Sequence, residues 1–452
     1  MRSIVNIALP TVSKAFGVST VTASWVLNAY LIILVSLLLA ASRLGDMKGY
    51  RKIFMAGFVI FTIGSALCGL APSITLLIVS RVFQAIGGAA IAALGAVMVT
   101  SYLAPSLRDQ ALGFVAMFTM LGAALGPVFG GFLTSAFSWQ FIFYVNIPVG
   151  ILAMLLGLHF LPRLAPVSSG AKLDIPGVIM VFAALSTLIY GLTSLQGPLP
   201  VTGAASLVVS VISWAAFIFN ERGKADPLIN IGLFSNRAFS LQNASIMLIQ
   251  MAMAGTMILM PFFLELVKHL PTDNAGTILL ALPIGMILPS PIAGRFSDVI
   301  GTKKPIIIGF IVCAVALLFL STLSPHSSVG HIGIYLFLLG AGSGIAYAPL
   351  NSAVMGESPP KERGAASGLI KMMTNLGSSL GVAMVMLAAA AALGPKLAQV
   401  SAHTLPTADL AYAFDMAFLF LMALEIAGVA LMIFVRERTD GYSTEGEPVS
   451  AF

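Results

Sequence analysis

The chain has 452 residues, 58% of them apolar and only 9% charged, with a mean hydropathy of +1.00. A soluble fold of this size covers itself with about a quarter charged residues, so a water-facing globular protein is excluded. The formal charge of +6 does not point to nucleic acid either, because Lys and Arg fall in short gaps between apolar runs and do not cluster on one solvated face.

The first apolar segment, Met1 to about Lys14, is too short for a hydrocarbon core of about 30 Å. Either the chain begins inside its first helix or an upstream portion completes it. Full spans are then predicted at 23–43, 52–71, 75–101, 111–136, 141–161, 175–196, 200–220, 240–266, 276–296, 305–323, 331–355, 365–393 and 412–435. Cys68 and Cys313 lie inside spans and read as small core hydrophobes, so no disulfide framework or CxxC metal site is available. The His residues are scattered, with no HExxH, GxSxG or phosphate loop. Neither an enzyme nor a cofactor or metal site is expected.

Alternate gaps carry the basic residues: Arg43, Lys48, Arg51 and Lys52; Arg108; Arg163 and Lys172; Arg222, Lys224 and Arg237; Arg295, Lys303 and Lys304; Lys361 and Arg363; Arg436 and Arg438. The intervening gaps hold little beyond Lys14, Lys268 and Lys396. The basic set is therefore expected in the cytoplasm, together with the C-terminus.

Several segments carry more than hydrophobicity. In the 23–43 span, Trp25-Val26-Leu27-Asn28-Ala29-Tyr30 offers Asn28 and Tyr30 to a cavity or to a neighbouring helix. The turn Ser42-Arg43-Leu44-Gly45-Asp46-Met47-Lys48-Gly49-Tyr50-Arg51-Lys52 recurs as Gly294-Arg295-Phe296-Ser297-Asp298-Val299-Ile300-Gly301-Thr302-Lys303-Lys304. Asp46 with Arg51, and Asp298 with Arg295, read as latches that pair across helix ends or as turns that only fix topology. Two such repeats suggest halves related by an axis along the membrane normal, with the spans at 175–220 as an unpaired hairpin. Arg81-Val82-Phe83-Gln84-Ala85-Ile86-Gly87-Gly88 places an arginine and Gln84 inside a span, where a charge needs a cavity or a partner. Gly122-Ala123-Ala124-Leu125-Gly126-Pro127-Val128-Phe129-Gly130-Gly131 permits close helix approach and a bend at Pro127. Ser138-Trp139-Gln140-Phe141-Ile142-Phe143-Tyr144-Val145-Asn146-Ile147-Pro148-Val149-Gly150 supplies interfacial aromatic anchors. Glu265 is expected to pair with Lys268 at an interface. Lys371, near Asn375, either lines a cavity or snorkels to the interface like nearby Arg363. Glu425 lies mid-span, as a proton carrier or a buried structural acid.

Together these segments resemble the 14-helix drug:proton antiporters of the major facilitator superfamily, over nearly the whole chain. The 122–131 segment matches the family's GxxxGPxxGG antiporter motif, 138–150 resembles its SWRWIFxINxPxG stretch with Gln140 for Arg, and 81–88 matches RxxQGxG with Ala85 at one glycine. The 42–52 turn matches the gating motif with Ser42 for glycine, and Trp25 to Tyr30 fits WxxxxY. The resemblance implies an all-α polytopic fold of two six-helix bundles with an inserted two-helix hairpin, and a role in proton transfer for Arg81. Ser3-Ile4-Val5-Asn6-Ile7-Ala8-Leu9-Pro10 resembles the end of the family's first-helix signature, in which Met1 falls where the family carries a membrane-embedded aspartate.

The expected organisation is a bundle over 1–165, the hairpin and linker over 166–225, a second bundle over 226–438, and a cytoplasmic tail over 439–452. The expected activity is proton-coupled drug export through the cell membrane by a monomer, with lipid, protons and a small-molecule substrate as its partners. An exporter of one metabolite or antibiotic and a non-transporting membrane sensor remain as alternatives.

Overall fold

Helices form wherever the apolar runs lie, because a backbone surrounded by hydrocarbon must satisfy its N–H and C=O groups within each segment. The structure, a computed structural model, describes residues 2–102, 118, 122, 125–162, 174–195, 200–222, 224, 231–358, 363–393 and 406–435. Twelve of its helices are long and apolar enough to cross a membrane and two shorter ones are apolar; the described residues contain no strand. In chain order they are α1 (Arg2–Phe16), α2 (Thr20–Lys48), α3 (Tyr50–Gly69), α4 (Ile74–Tyr102), α5 (Leu125–Ala136), α6 (Phe141–Phe160), α7 (Ile175–Ser194) and α8 (Pro200–Glu221). Then come α9 (Arg237–Phe262, continued by a π-turn at Phe263–Val267) and α10, which runs in three pieces, Thr272–Leu279, Ala281–Ile287 and Ser290–Ile300. The last four are α11 (Lys303–Leu320), α12 (Val329–Gly356), α13 (Arg363–Leu393) and α14 (Thr407–Ile433). Arg108, Arg163, Lys172, Lys361, Lys396, Arg436, Arg438, the 439–452 tail and much of the expected 111–136 span lie outside the described residues.

The basic turn of the first half is less of a loop than its sequence suggests. α2 continues as helix past Arg43 and Asp46 to Lys48, and the chain reverses at Gly49, whose φ of 93° is accessible to glycine at little cost. The second half does the same: α10 runs through Arg295 to Ile300 and reverses at Gly301, with φ 83°. The two reversals occupy corresponding places in the repeat.

Packing repeats as well. A Cβ on Gly87 of α4 would lie 2.5 Å from the Gly57 carbonyl and the Phe61 nitrogen of α3. A Cβ on Gly342 of α12 would lie 2.7 Å from the Gly309 carbonyl and the Cys313 nitrogen of α11. In each half the same two helices therefore cross with bare backbone in contact, the small-residue mode of packing in lipid. At the end of the bundle opposite the basic turns, here called the far end, α1 packs on α9 and on the first piece of α10. The α7–α8 pair packs on α2 of one half and α13 of the other through α7. Val181, Leu185 and Ile189 of α7 share an apolar cluster with Ile32 and Val35 of α2 and with Leu369 and Leu376 of α13.

Candidate functional site: polar groups inside the bundle

A charge inside a membrane span must find partners within the protein, and Arg81 of α4 does so on three sides. Its Nε donates to the Val26 carbonyl of α2 at 3.0 Å, and its guanidinium lies 4.0 Å from the ring centroid of Tyr30. A terminal nitrogen donates to Gln84 Oε1. Gln84 Nε2 donates in turn to Ser65 Oγ of α3 at 2.6 Å, and Ser65 donates to the Phe61 carbonyl at 2.9 Å. Arg81, Gln84 and Ser65 are all buried. Sequence reasoning found Arg81, Tyr30 and Gln84 but not Ser65, whose one signal is a hydroxyl one helical turn before Cys68. Asn28 is fully buried and both its side-chain polar atoms lack hydrogen-bond partners.

The second half holds a buried acid. Glu425 of α14 is fully buried and neither carboxylate oxygen has a hydrogen-bond partner. Gly428, one turn along, packs on the ring of Phe310 in α11, which sets Glu425 at the level of Cys313. The Cys313 thiol reaches Ser343 Oγ of α12 at 3.4 Å, and Ser343 Oγ contacts Met253 Sδ of α9 at 3.0 Å. An ionised carboxylate without a donor costs several kcal/mol in such surroundings.

Lys371 of α13 does not reach back toward Arg363. Its Nζ lies 3.4 Å from the Ala92 carbonyl of α4, in the other half. The side chain is solvent-accessible, and this contact reaches from one half to the other. Asn375, one turn on, donates to the Lys371 carbonyl at 2.8 Å, so its amide is spent on its own helix. Tyr347 and Thr374 join α12 to α13 at 3.1 Å.

The glycines expected to allow close approach do so at the far end. A Cβ on Gly130 would lie 2.5 Å from Ile7 of α1, and one on Gly131 would lie 2.6 Å from the Thr272 carbonyl of α10. From the other side, Gly276 of α10 abuts the Pro127 carbonyl. Gly126 and Pro127 are buried with them, whereas Gly122 has nothing within 4 Å of where its Cβ would be. Thr272 and Gly276 were not singled out in the sequence.

At the basic end, Asp46 Oδ1 accepts a hydrogen bond from Tyr50 at 2.7 Å, and Arg51 donates to the Leu158 carbonyl of α6 at 2.7 Å. Both contacts stay inside the first half. Arg295 is exposed, and the Asp298 side chain lies outside the described residues. No group of three His, Cys, Asp or Glu side chains that could hold a metal occurs among the described residues.

Residues 1–382 match the family described as Major Facilitator Superfamily. The chain belongs to the major facilitator superfamily. Within that superfamily it is 32% identical to the riboflavin transporter RibZ of Clostridioides difficile, over 84% of this chain and 83% of the relative. It is 29% identical to the multidrug resistance protein Stp of Mycobacterium tuberculosis, over 84% of this chain and 71% of the relative. Relatives of the second kind agree with the drug:proton antiporter branch that the motifs indicate. Among solved structures, an auto-inhibited peptide transporter of the POT family superposes with a TM-score of 0.67 at 15% identity, covering 98% of this chain and 96% of that one. At that identity the likeness bears on the fold alone. The protein is thus a multi-pass membrane transporter of the major facilitator fold.

Proposed function

We propose that this transporter exports hydrophobic or amphiphilic drug-like compounds across the cytoplasmic membrane in exchange for protons. The halves, 1–165 and 226–438, tilt against each other around a chamber between them, and the 166–225 hairpin is an insertion. The observation that carries this reading is the far-end seam, where Gly131 of α5 lies against the Thr272 carbonyl of α10 and Gly276 of α10 against the Pro127 carbonyl of α5. That contact between backbones carries no interdigitated side chains, so the halves can part at it and meet again. The antiporter motif and the Stp relative support export as the direction. The basic turns put the α2–α3 end in the cytoplasm and the far end outside.

In this reading Arg81 and Glu425 are the candidates for proton coupling, one in each half. Arg81 is held among Tyr30, Gln84 and the Val26 carbonyl; Glu425 is a buried acid whose carboxylate oxygens have no hydrogen-bond partner. Asn28, Tyr30, Gln84, Lys371 and Asn375 are the candidates for contact with cargo, and Asp46, Arg51, Asp298 and Arg295 for gating at the basic end. Everted vesicles with a preset proton gradient test the proposal. A lipophilic cationic dye should collapse the gradient through the protein; gradient loss that is identical without the protein, over a panel of dyes, would refute it.

A second reading has a specific observation behind it. The Lys371 ammonium, held between the halves beside Ala92, favours anionic or zwitterionic cargo over cations, which fits an exporter of one such metabolite. The same vesicles loaded with anionic compounds separate the two readings.

A further inference from the structure

Glu265 sits where an interfacial ion pair with Lys268 is expected, but Lys268 is engaged elsewhere. Its Nζ donates to the carbonyls of Pro325 and Ser327 at 2.6 and 2.7 Å, tying α9 to the α11–α12 connection. Glu265 instead lies on the π-turn Phe263–Val267, a winding that is rare and concentrated at functional sites. The chain leaves this turn through His269, which holds a left-handed φ of 52°. Glu265 Oε1 is buried with no hydrogen-bond partner. The carboxylate is approached by Thr272 of α10, the residue whose carbonyl abuts Gly131, and it feels the charge of Lys14 on α1. It therefore stands on the seam between the halves. The titratable groups on the far-end parts of the elements around it are Lys14 of α1, Lys268 and His269 after the turn, Asp273 of α10, and Asp409, Tyr412 and Asp415 of α14.

We infer that Glu265 is a proton-responsive element of the far-end seam, and that proton uptake there from the outside allows the seam to close. When the halves part, the carboxylate meets water and ionises. When they meet, it loses water on most sides and gains no donor at Oε1, while exposed Lys14 compensates weakly through solvent. Closure therefore favours the neutral acid, and a falling external pH shifts the seam toward closed. In an exchanger this couples the return stroke to an incoming proton. The inference rests on the alternating-access reading proposed above, but its test does not require cargo.

The test places a reporter thiol at Ala275, which is fully buried beside Gly276; native Cys68 and Cys313 are buried. Full-length Ala275→Cys protein is treated from outside, in cells or oriented proteoliposomes, with a membrane-impermeant maleimide at a series of external pH values. The labelling rate, corrected for thiolate content with an exposed control cysteine, should fall toward acid pH, by up to about tenfold per unit for one linked proton. Added Glu265→Gln should give slow labelling at every pH, Glu265→Asp should keep the slope, and Lys14→Gln should move the midpoint to higher pH. The same slope in Glu265→Gln as in its parent, or faster labelling in acid, would overturn the inference. Proton flux with dye is measured on the same preparations. A normal labelling response without dye-driven flux would sustain the seam element and count against drug export. Normal flux with flat labelling would do the reverse.

Discussion

The guanidinium of Arg81 stacks on the ring of Tyr30 and donates to the carbonyl of Val26, one turn earlier on the same helix. The cation is thus held by a ring face and backbone dipoles. That arrangement leaves its charge less neutralised than a carboxylate would, and its field can act on a proton or an anion nearby. Planarity matters here, since one flat group must stack and donate along separate directions.

Arg81→Lys should therefore retain the charge and lose the fit. Its proton-coupled transport is expected to fall at least about tenfold, with expression in the membrane unchanged. Tyr30→Leu should destabilise the protein by about 1–2 kcal/mol, the worth of a desolvated cation–π contact, and Tyr30→Phe by less. Thermal unfolding in detergent measures both.

The antiporter-motif glycines should not behave alike. Gly131→Ala puts a methyl group 2.6 Å from the Thr272 carbonyl, so the seam must spread, and transport should fall at least about tenfold. Gly122→Ala meets nothing within 4 Å and should be neutral or slightly stabilising, because alanine is the better helix former by about 1 kcal/mol. A cargo export assay on both variants checks the contrast.

At the base of the hairpin, Lys224 Nζ lies 2.5 Å from Asp174 and 3.5 Å from Glu221. Partial burial works to raise the Asp174 carboxyl, but the hydrogen bonds from Lys224 and from the Gly177 backbone N–H outweigh it and hold it below the ordinary carboxylate range. A depressed carboxyl contributes stability above its ordinary value, near 3.8, and loses it as pH falls through the folded value. Asp174→Asn should lower stability at pH 7 by on the order of 1 kcal/mol, modest because the pair is partly solvated. The gap between variant and parent should close below about pH 4, as followed by thermal unfolding across pH.

Glu425→Gln keeps the shape of the neutral acid and should leave the melting temperature nearly unchanged. Glu425→Lys puts a cation of different shape into the same pocket and should cost several kcal/mol or prevent folding. If Glu425 carries a proton, the Gln variant will equilibrate cargo downhill yet fail to concentrate it against a gradient. Vesicle uptake with and without an imposed pH difference reads this out.

The fold was legible in the sequence because hydrophobic length and loop charge are local properties. The Asp46 and Asp298 turns could be paired because glycine, acid and base recur at the same spacing. The partner of Gly131 was not legible: nothing in Thr272-Asp273-Asn274-Ala275-Gly276 marks it as a seam, since the contact uses backbone atoms that every residue carries. Glu265 was misread for a definite reason. Residues three apart face each other on an α-helix, which pairs Glu265 with Lys268; the π-turn changes that register, and Lys268 is taken up by the Pro325 and Ser327 carbonyls. Lys371 was ambiguous because snorkelling and inward projection differ only in side-chain direction.

Among the described residues, the hairpin meets both halves largely through aliphatic side chains of α7, with a tilted ring contact of Trp25 to Tyr190 at 6.3 Å. Polar contacts within it include Ser210 to the Ala184 carbonyl at 2.8 Å and Lys224 to Asp174. Apolar contact has no preferred direction, so one greasy surface can glide over another without breaking bonds. In the exchange proposed above, the inserted pair serves as a bearing: it covers the α2–α13 contact against bilayer hydrocarbon while leaving the halves free to rock.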